Sequence, residues 1–402
     1  MKASDLLSFE DARARLLEEA RRVADVEFVD TLAARGRILA QDQRSLVTVP
    51  PWDNSAMDGY AVRAQDVPFP GCHLPISQRI PAGDVGLPLH PGTAARIFTG
   101  APIPEGADAV VMQELCEHRD NAVVINHAPR VGEAIQRAGD DMVSGAMVLA
   151  AGQRLRPQDL GIAAGAGLAS LPVRRRLRVA VFFTGDELVM PGEPLRMGGI
   201  YNSNRFMLRG LLEGLGCEVR DLGIVPDRLE ATRVALKEAA LGHDLILTSG
   251  GMSVGEEDHV KPAVEAEGRL DMWRIAMKPG KPLAYGRVGE ADFIGLPGNP
   301  VSSFVTFLIM VRPFILARQG GTDPIPRAIP FPAGFHWPRP DRRREFLRAR
   351  LGADGAIELF PKQGPHVLTS TGWAEGLAVV PPSTPVQPGD LVEYIPFSEL
   401  MN

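Results

Sequence analysis

Between Asp244 and Lys261 the chain reads DLILTSGGMSVGEEDHVK, and three kinds of chemistry follow one another in that span. Leu245 to Thr248 form an apolar, β-branched run of the kind buried in a parallel sheet. Ser249, Gly250 and Gly251 then remove bulk where a ligand could approach the backbone. Glu256, Glu257 and Asp258 supply carboxylates just beyond, before an expected helix. In open α/β sheets, ligands sit at the carboxyl ends of strands, where loops and helix N-termini present unpaired N–H groups. A backbone cradle followed at once by carboxylates predicts phosphate held together with a divalent metal.

Other segments add acids and cations to the same expected edge. FTGDEL (183–188) places Asp186 and Glu187 directly after a strand, where Asp186 either caps a turn or faces a ligand. Asp227 follows the strand of GIVPDR and reads as a helix N-cap, a role that leaves its second oxygen free for metal or ribose. Asp258 has the same two readings. Mg²⁺ takes one or two carboxylates together with phosphate oxygens and water, and these four acids exceed that need. MKPGKP (277–282) sets Lys278 and Lys281 on either side of a Pro-Gly turn. It is either a solvated hairpin turn or an oxyanion clamp. GLPGNPVSSF ends a strand after Leu296 and opens a helix with Pro300 near its first position, which leaves free N–H groups of that turn, between Pro297 and Pro300, pointing at an anion.

A second set lies nearer the N-terminus. PPWDNSAMDGYAV (50–62) carries Asp53 and Asp58, FTGAPIPEGADAVV (98–111) carries Thr99 and Gly100, and QRAGDDM (136–142) carries Arg137, Asp140 and Asp141. Each is compatible with plain turn chemistry. The basic run DRRREFLRAR (341–350) reads first as a solvated face, with Arg344 and Arg348 as candidate anion contacts. There is no Ser-His-Asp arrangement, and no GxGxxG after a strand to mark a dinucleotide site.

The elements that must position these residues change in texture along the chain. Residues 4–25 form an amphipathic helical opening with Leu6, Leu7, Leu16, Leu17 and Val23 among charges. From about 45 to 145, proline and glycine pairs punctuate short strands, which predicts a β-rich module. Residues 145–176 read as a strand, a small-residue helix and a linker. From Leu177 strands and helices alternate, which predicts a three-layer α/β unit with a largely parallel sheet. After about 325 the Pro-rich β pattern returns and predicts a small C-terminal β-barrel or sandwich. The expected division is 1–45 with 146–176, then 46–145, 177–325 and 326–402.

At 402 residues several domains are expected, because one core rarely grows beyond about 250–300 residues. Gly 42 and Pro 35 together make about 19% of the chain, against an average near 12%, which favours turns and β modules over helical bundles. A net charge of -6 argues against a general nucleic-acid surface. Cys72, Cys116 and Cys217 are widely spaced, so zinc ribbons and disulfide frameworks are not expected, and reduced cytoplasmic thiols are. The opening MKASDLLSFEDARARLLEEARRV has acids throughout and does not read as a signal peptide. The most apolar run, Val301 to Leu316, contains Arg312 and Pro313 and is shorter than the ~20 residues of a span, so no membrane role is expected.

Taken together, nine ordered motifs resemble the molybdopterin molybdenumtransferases, the family of MoeA and the gephyrin E domain. They are PPWDNSAMDGYAV, RIFTGAPIPEGADAVVMQE, RAGDDM, TGDEL, YNSNRFML, GIVPD, TSGGMSVGEEDHVK, MKPGKP and GLPGNPVS, and the likeness runs from about residue 5 to 397. The resemblance implies insertion of molybdate into adenylylated molybdopterin with release of AMP. It implies a central molybdopterin-binding α/β domain in a four-domain subunit, and a homodimer with the site between one subunit's α/β domain and the other's β-rich domain. Asp227 and Asp258 would hold Mg²⁺; Asp186 and Glu187 would join them around the pterin-adenylate. Lys278 and Lys281 would hold molybdate or phosphate oxygens, with Ser249, Gly250, Gly251, Pro297, Pro300 and Arg348 also toward substrate. Asp58, Thr99, Arg137 and Asp141 would complete the site across the dimer, Asp58 orienting or activating water or substrate. A molybdopterin adenylyltransferase and molybdoenzyme chaperones are the protein partners the family implies.

Two positions depart from the family pattern. Gly364 is followed by Pro365 where the family often has serine, which moves any hydroxyl contact to Thr369 or Ser370. Glu257 stands where an aromatic is common. The competing readings are an adenylyltransferase or a CinA-like nucleotide hydrolase built on the same α/β unit, and a non-catalytic scaffold module.

Overall fold

The computed structural model describes residues 6–251 and 259–401. Its centre is a six-stranded sheet of β1 (Arg178–Thr184), β2 (Glu218–Val225), β3 (Leu245–Ser249), β4 (Gly268–Arg274), β5 (Pro282–Val288) and β6 (Ala291–Leu296). The spatial order is β2–β1–β3–β6–β5–β4. The first four neighbours are parallel, whereas β5 pairs antiparallel with both β6 and β4. The inner strands β1, β3 and β6 are nearly continuous apolar runs because both faces are covered. Val179, Val181 and Phe183 point into one core with Leu208, Leu212 and Phe304. Ala180 and Phe182 point into the other with Leu236, Val260 and Val264. Helices Ser203–Gly214 and Pro300–Arg318 cover the first face; Leu229–Ala240 and Val260–Glu267 cover the second.

The chain reverses direction in the sheet between β1 and β3. After β1 it steps outward to β2, then crosses to the other side for β3, so the connections diverge from that point. A crevice opens there, at the carboxyl ends of the strands. The register aligns those ends: Thr184 faces Val225, Phe183 faces Ser249, and Ser249 faces Leu296.

The opening helix is shorter than the sequence expectation, whereas the helix from Pro300 matches it to within a residue. The opening helix covers only Phe9–Glu18, because Ser8 caps it by accepting a hydrogen bond from the Asp11 N–H. It buries Phe9, Ala12 and Leu16 in the central core, with Phe9 edge-on to Phe346 of the C-terminal sheet. The helix from Pro300 runs 19 residues to Arg318, longer than its apolar run, through a π turn at Phe307–Val311 just ahead of Pro313. By length and hydropathy it could cross a bilayer, but 89% of its apolar window is buried. Its apolarity is that of a core helix.

Val26–Asp30 pairs with Ser170–Arg174, and Gln43–Arg44 with Met147–Leu149, so the chain leaves and re-enters this linking region around the β-rich one. That β-rich region is a six-stranded sheet in which Gly59–Val62 lies between Ala94–Ile97 and Ala109–Met112. A Cβ on Gly59 would come within 2.0 Å of the Val111 carbonyl oxygen, so only glycine permits this close strand approach. The C-terminal sheet has the order Met277–Lys278, Arg344–Leu351, Gly376–Val380, Leu391–Pro396, Ile329–Pro332, with Ile357–Leu359 beside Arg344–Leu351. That path is open, and a single isolated bridge joins Ala333 and Ile357. Met277–Lys278 therefore belongs to the C-terminal sheet rather than to a hairpin of the α/β unit.

Candidate functional site

The crevice at the strand ends is a cavity of about 520 Å³, within the size range of small-molecule sites. Glu187 comes from the turn after β1 and Asp227 from the turn after β2. Asp227 does not cap the next helix: the cap position is Arg228, and the Asp227 carboxylate instead accepts a hydrogen bond of 3.3 Å from the Thr184 hydroxyl at the end of β1. That bond turns Asp227 into the cavity. Gly250 and Gly251 form the floor beside Pro297 and Gly298. Gly250 has φ +100, and a Cβ there would lie 2.6 Å from the Thr184 carbonyl oxygen, so the backbone can pass only as glycine.

The cations enter from a different direction. Lys278 pairs in parallel register with Glu345, which fixes its backbone against the C-terminal sheet. Its Nζ stands 3.0 Å from Glu345 Oε1 and 3.5 Å from Asp341 Oδ2, the first at an angle that makes a charge contact rather than an aligned hydrogen bond. Glu345 is 0% exposed, and its other oxygen accepts hydrogen bonds of 2.8 Å from the Trp337 indole N–H and from the Asp341 N–H. A buried carboxylate requires such partners. Arg343 also lines the cavity and forms a two-pronged pair with Asp341 at 3.0 and 2.8 Å. That pairing holds the Asp341 carboxyl far below the usual carboxylate range. Lys281 lines the cavity with no ion pair among the described residues, so it is the uncompensated cation of the site. Neutral N–H groups, two carboxylates and three cations thus converge on one space.

Several expected residues lie elsewhere. Asp186 is exposed and outside the cavity lining, its Oδ1 accepting a weak 3.4 Å bond from the Asp227 N–H. Ser249 is buried, and its hydroxyl is spent on Pro297 O, Ser303 and the Asn204 amide, all within 3.0 Å. With Pro300 it lines an adjoining cavity of about 610 Å³ that shares Thr184, Glu187, Gly250, Gly298 and Asn299 with the first. Arg348 is 0% exposed and lies under the 364 loop, donating to Ser370 Oγ, Phe346 O and Gly364 O. Burial lowers its guanidinium to about 10. Ser370 is buried, its hydroxyl bound to Val367 O, and neither it nor Thr369 lines the crevice; Pro365 itself does. Asp258, with Glu256 and Glu257, falls outside the described residues.

The β-rich region carries a separate polar cluster. Gly59 pairs with Ile97, which brings the flanking Asp58 and Thr99 together. Asp58 Oδ1 accepts from both the Thr99 N–H and its hydroxyl at 2.8 Å, and those donors hold the carboxyl below its usual range. Asp53 accepts from the Ala138 N–H at 2.9 Å and pairs with Arg137, which likewise lowers it. Asp140 accepts from the Arg137 N–H at 2.8 Å, and Asp141 is exposed with no side-chain partner among the described residues. No residue of this cluster lines the crevice within one chain.

Comparison with known proteins places this geometry. Residues 7–167 match the MoeA N-terminal region (domains I and II), 180–317 a probable molybdopterin binding domain, and 330–397 the MoeA C-terminal region (domain IV). The molybdopterin molybdenumtransferase of Haemophilus influenzae is 43% identical over 317 residues, 78% of this chain and 78% of that protein. Molybdopterin molybdenumtransferase 2 of Mycobacterium tuberculosis is 38% identical over 381 residues, 91% of this chain and 94% of that protein. The chain belongs to the MoeA family. A crystal structure of the molybdopterin biosynthesis MoeA protein from Pyrococcus horikoshii has the same fold, with TM-score 0.85, 27% identity, and coverage of 98% of this chain and 100% of that one.

For this MoeA-family chain, the sequence reading overlooked three groups on the crevice wall. Arg343 was hidden in a basic run, one residue before the strand Arg344–Leu351, with no local signal to separate it from its neighbours. Asn299 and Gln363 are ordinary polar residues until the fold places them; Gln363 also pins Arg348 through both its N–H and carbonyl. Asn204, from the YNSNRFML motif, ties Ser249 to Gly298 O at 2.8 Å each and so holds the two glycine turns together. Among the described residues no three His, Cys, Asp or Glu side chains group as a protein cage for metal. The pair of Glu187 and Asp227 instead suits a hard cation that keeps water and takes substrate phosphate as further ligands.

Proposed function

We propose that the chain is a molybdopterin molybdenumtransferase that inserts molybdate into adenylylated molybdopterin, releasing AMP and yielding molybdenum cofactor. The observation that carries this reading is one crevice lined by carboxylates from strand ends and by Lys278, Lys281 and Arg343, in a chain of this family. Lys281 takes an oxyanion of molybdate or phosphate directly, because no protein carboxylate competes for it among the described residues. Lys278 shares that task, released in part from Glu345 as the anion enters. Gly251, Gly298 and Asn299, at the turns on the crevice floor, offer backbone N–H groups to phosphate oxygens. Asp227 and Asp258 would hold Mg²⁺, with Glu187 beside Asp227 on the crevice wall, and the ion when bound would supply charge neutralisation to phosphate oxygens.

The reading includes a homodimer in which Asp58, Thr99, Arg137 and Asp141 of a second copy close the crevice, with Asp58 orienting water or substrate. It divides each subunit into 1–45 with 146–176, 46–145, 177–325 and 326–402, and places the enzyme in the cytoplasm beside an adenylyltransferase that supplies its substrate. Burial pushes the Cys116 thiol up to about 11 and the Cys217 thiol up to about 12, which disfavours their thiolate forms.

The test is reconstitution of a molybdenum-free enzyme from purified protein, molybdopterin-adenylate, Mg²⁺ and low molybdate, following AMP release. Molybdate-dependent AMP release and recovered enzyme activity are expected. Adenylylation of molybdopterin from ATP in place of AMP release would overturn the reading, and a monomer by light scattering would overturn the shared site.

A further inference from the structure

A second large cavity, about 830 Å³, lies where the linking region, the α/β unit and the short helix Phe397–Met401 meet, and it shares no residue with the crevice. Six arginines line it: Arg35, Arg37, Arg154, Arg156, Arg176 and Arg312. Two acids, Glu213 and Glu399, face them. Arg37 is neutralised by Glu27 and Arg156 by Asp159, while Glu213 is taken by Arg209. Among the described residues the other four arginines form no ion pair, so the cavity holds a net positive charge in a chain of net charge -6.

The remaining guanidiniums are oriented but not neutralised. Arg154 donates to Gly36 O and Gly214 O, and Arg176 to Gly216 O, which caps the end of helix Ser203–Gly214. These carbonyls use two of the five N–H donors of Arg154 and one of Arg176. Arg312 is 7% exposed, donates once to Pro324 O at 3.2 Å, and its buried Nε has no partner. Burial and the charge of Arg154 together lower that guanidinium to about 10, against weaker support from Glu399 and Asp323. A buried, unmatched guanidinium edge on a cavity wall is costly unless an anion meets it.

We infer that this cleft binds a small molecule bearing two or more phosphate groups. Planar guanidinium forks match phosphate oxygens two at a time. A concave cavity of this volume suits a small ligand rather than an extended nucleic acid. The shared chemistry is the polyphosphate, carried either by a nucleotide or by free pyrophosphate.

The test uses full-length protein carrying Lys278→Gln and Lys281→Gln, which weakens anion binding in the crevice. Calorimetric titration with inorganic pyrophosphate at low salt is expected to show one site per chain. Adding Arg154→Gln and Arg176→Gln should weaken it about tenfold or more. In the wild-type background those two changes should leave molybdenum transfer within about twofold, since the sites are separate. Arg35→Gln with Arg176→Gln, both exposed positions, provides the same test if the first pair impairs folding. Tighter binding of ADP than of pyrophosphate would identify a nucleotide as the source, and the reverse a free polyphosphate. Absent pyrophosphate binding, or binding unchanged by the arginine substitutions, would overturn the inference.

Discussion

The lysine corner of the crevice and the Asp58–Thr99 corner of the β-rich sheet are both polar, yet they are built in opposite ways. Lys278 draws its partner from another region, and that partner, Glu345, is 0% exposed and bound to two half-buried donors. Asp58 is held by a neighbour one strand away, on the surface, by an N–H and a hydroxyl of the same residue. The first corner is part of what holds two regions together, so chemistry and stability are coupled there. The second can be altered with little structural consequence.

The strongest way to break this contrast is Lys278→Gln. Removal of a preformed cationic contact should lower molybdenum transfer about 100- to 1,000-fold, measured as AMP release at saturating molybdate. Melting temperature should also fall, because Glu345 loses its charge partner. An unchanged rate would remove the lysine corner from the site. Next is Glu345→Ala, which orphans the Trp337 indole and the Asp341 N–H. It should cost about 2–4 kcal/mol of stability by denaturant unfolding. A loss under about 0.5 kcal/mol would mean that the regional junction does not depend on it.

Asp58→Asn sharpens the other side. A loss of about ten- to a hundredfold in rate, with an unchanged melting curve, is expected. Mixed dimers then decide whether the two corners meet across subunits. Co-expression of Asp58→Asn and Lys278→Gln chains should restore about a quarter of wild-type activity, since half of randomly mixed dimers are mixed and each has one intact site. No recovery would place both corners in a single chain.

The smallest effect concerns Asp341. Its folded-state carboxyl titrates lower than in the unfolded chain, so its stabilising contribution is fully present above the ordinary carboxylate value and is lost as pH falls through the lowered one. The stability gap between wild type and Asp341→Asn should therefore be constant above about pH 5 and shrink below about pH 4. A gap that widened in acid would reverse the assignment.

Much of the crevice was legible in local pattern. A strand's apolar run and the glycine that ends it are set by neighbouring residues, so Glu187, Gly250, Asp227 and the 297–300 turn could be assigned to one sheet edge from order alone. Helix capping was less legible: Asp227 has the residue type of a cap, but the fold gives that position to Arg228 and turns Asp227 toward Thr184. Arg348 and Arg343 sit in one basic run and face opposite environments, one buried under the 364 loop and the other on the cavity wall.

Local pattern along the chain set the α/β and β-rich character of the regions, the glycine turns and the acids at the strand ends, because periodicity and turn chemistry act over a few residues. Long-range packing set the rest: Lys278 joins the C-terminal sheet, Glu345 is its buried counter-charge, and Asp58 stands apart from the crevice within one chain. Those outcomes depend on which distant strands align and which charges must be matched once water is excluded, and neither is encoded in spacing along the chain.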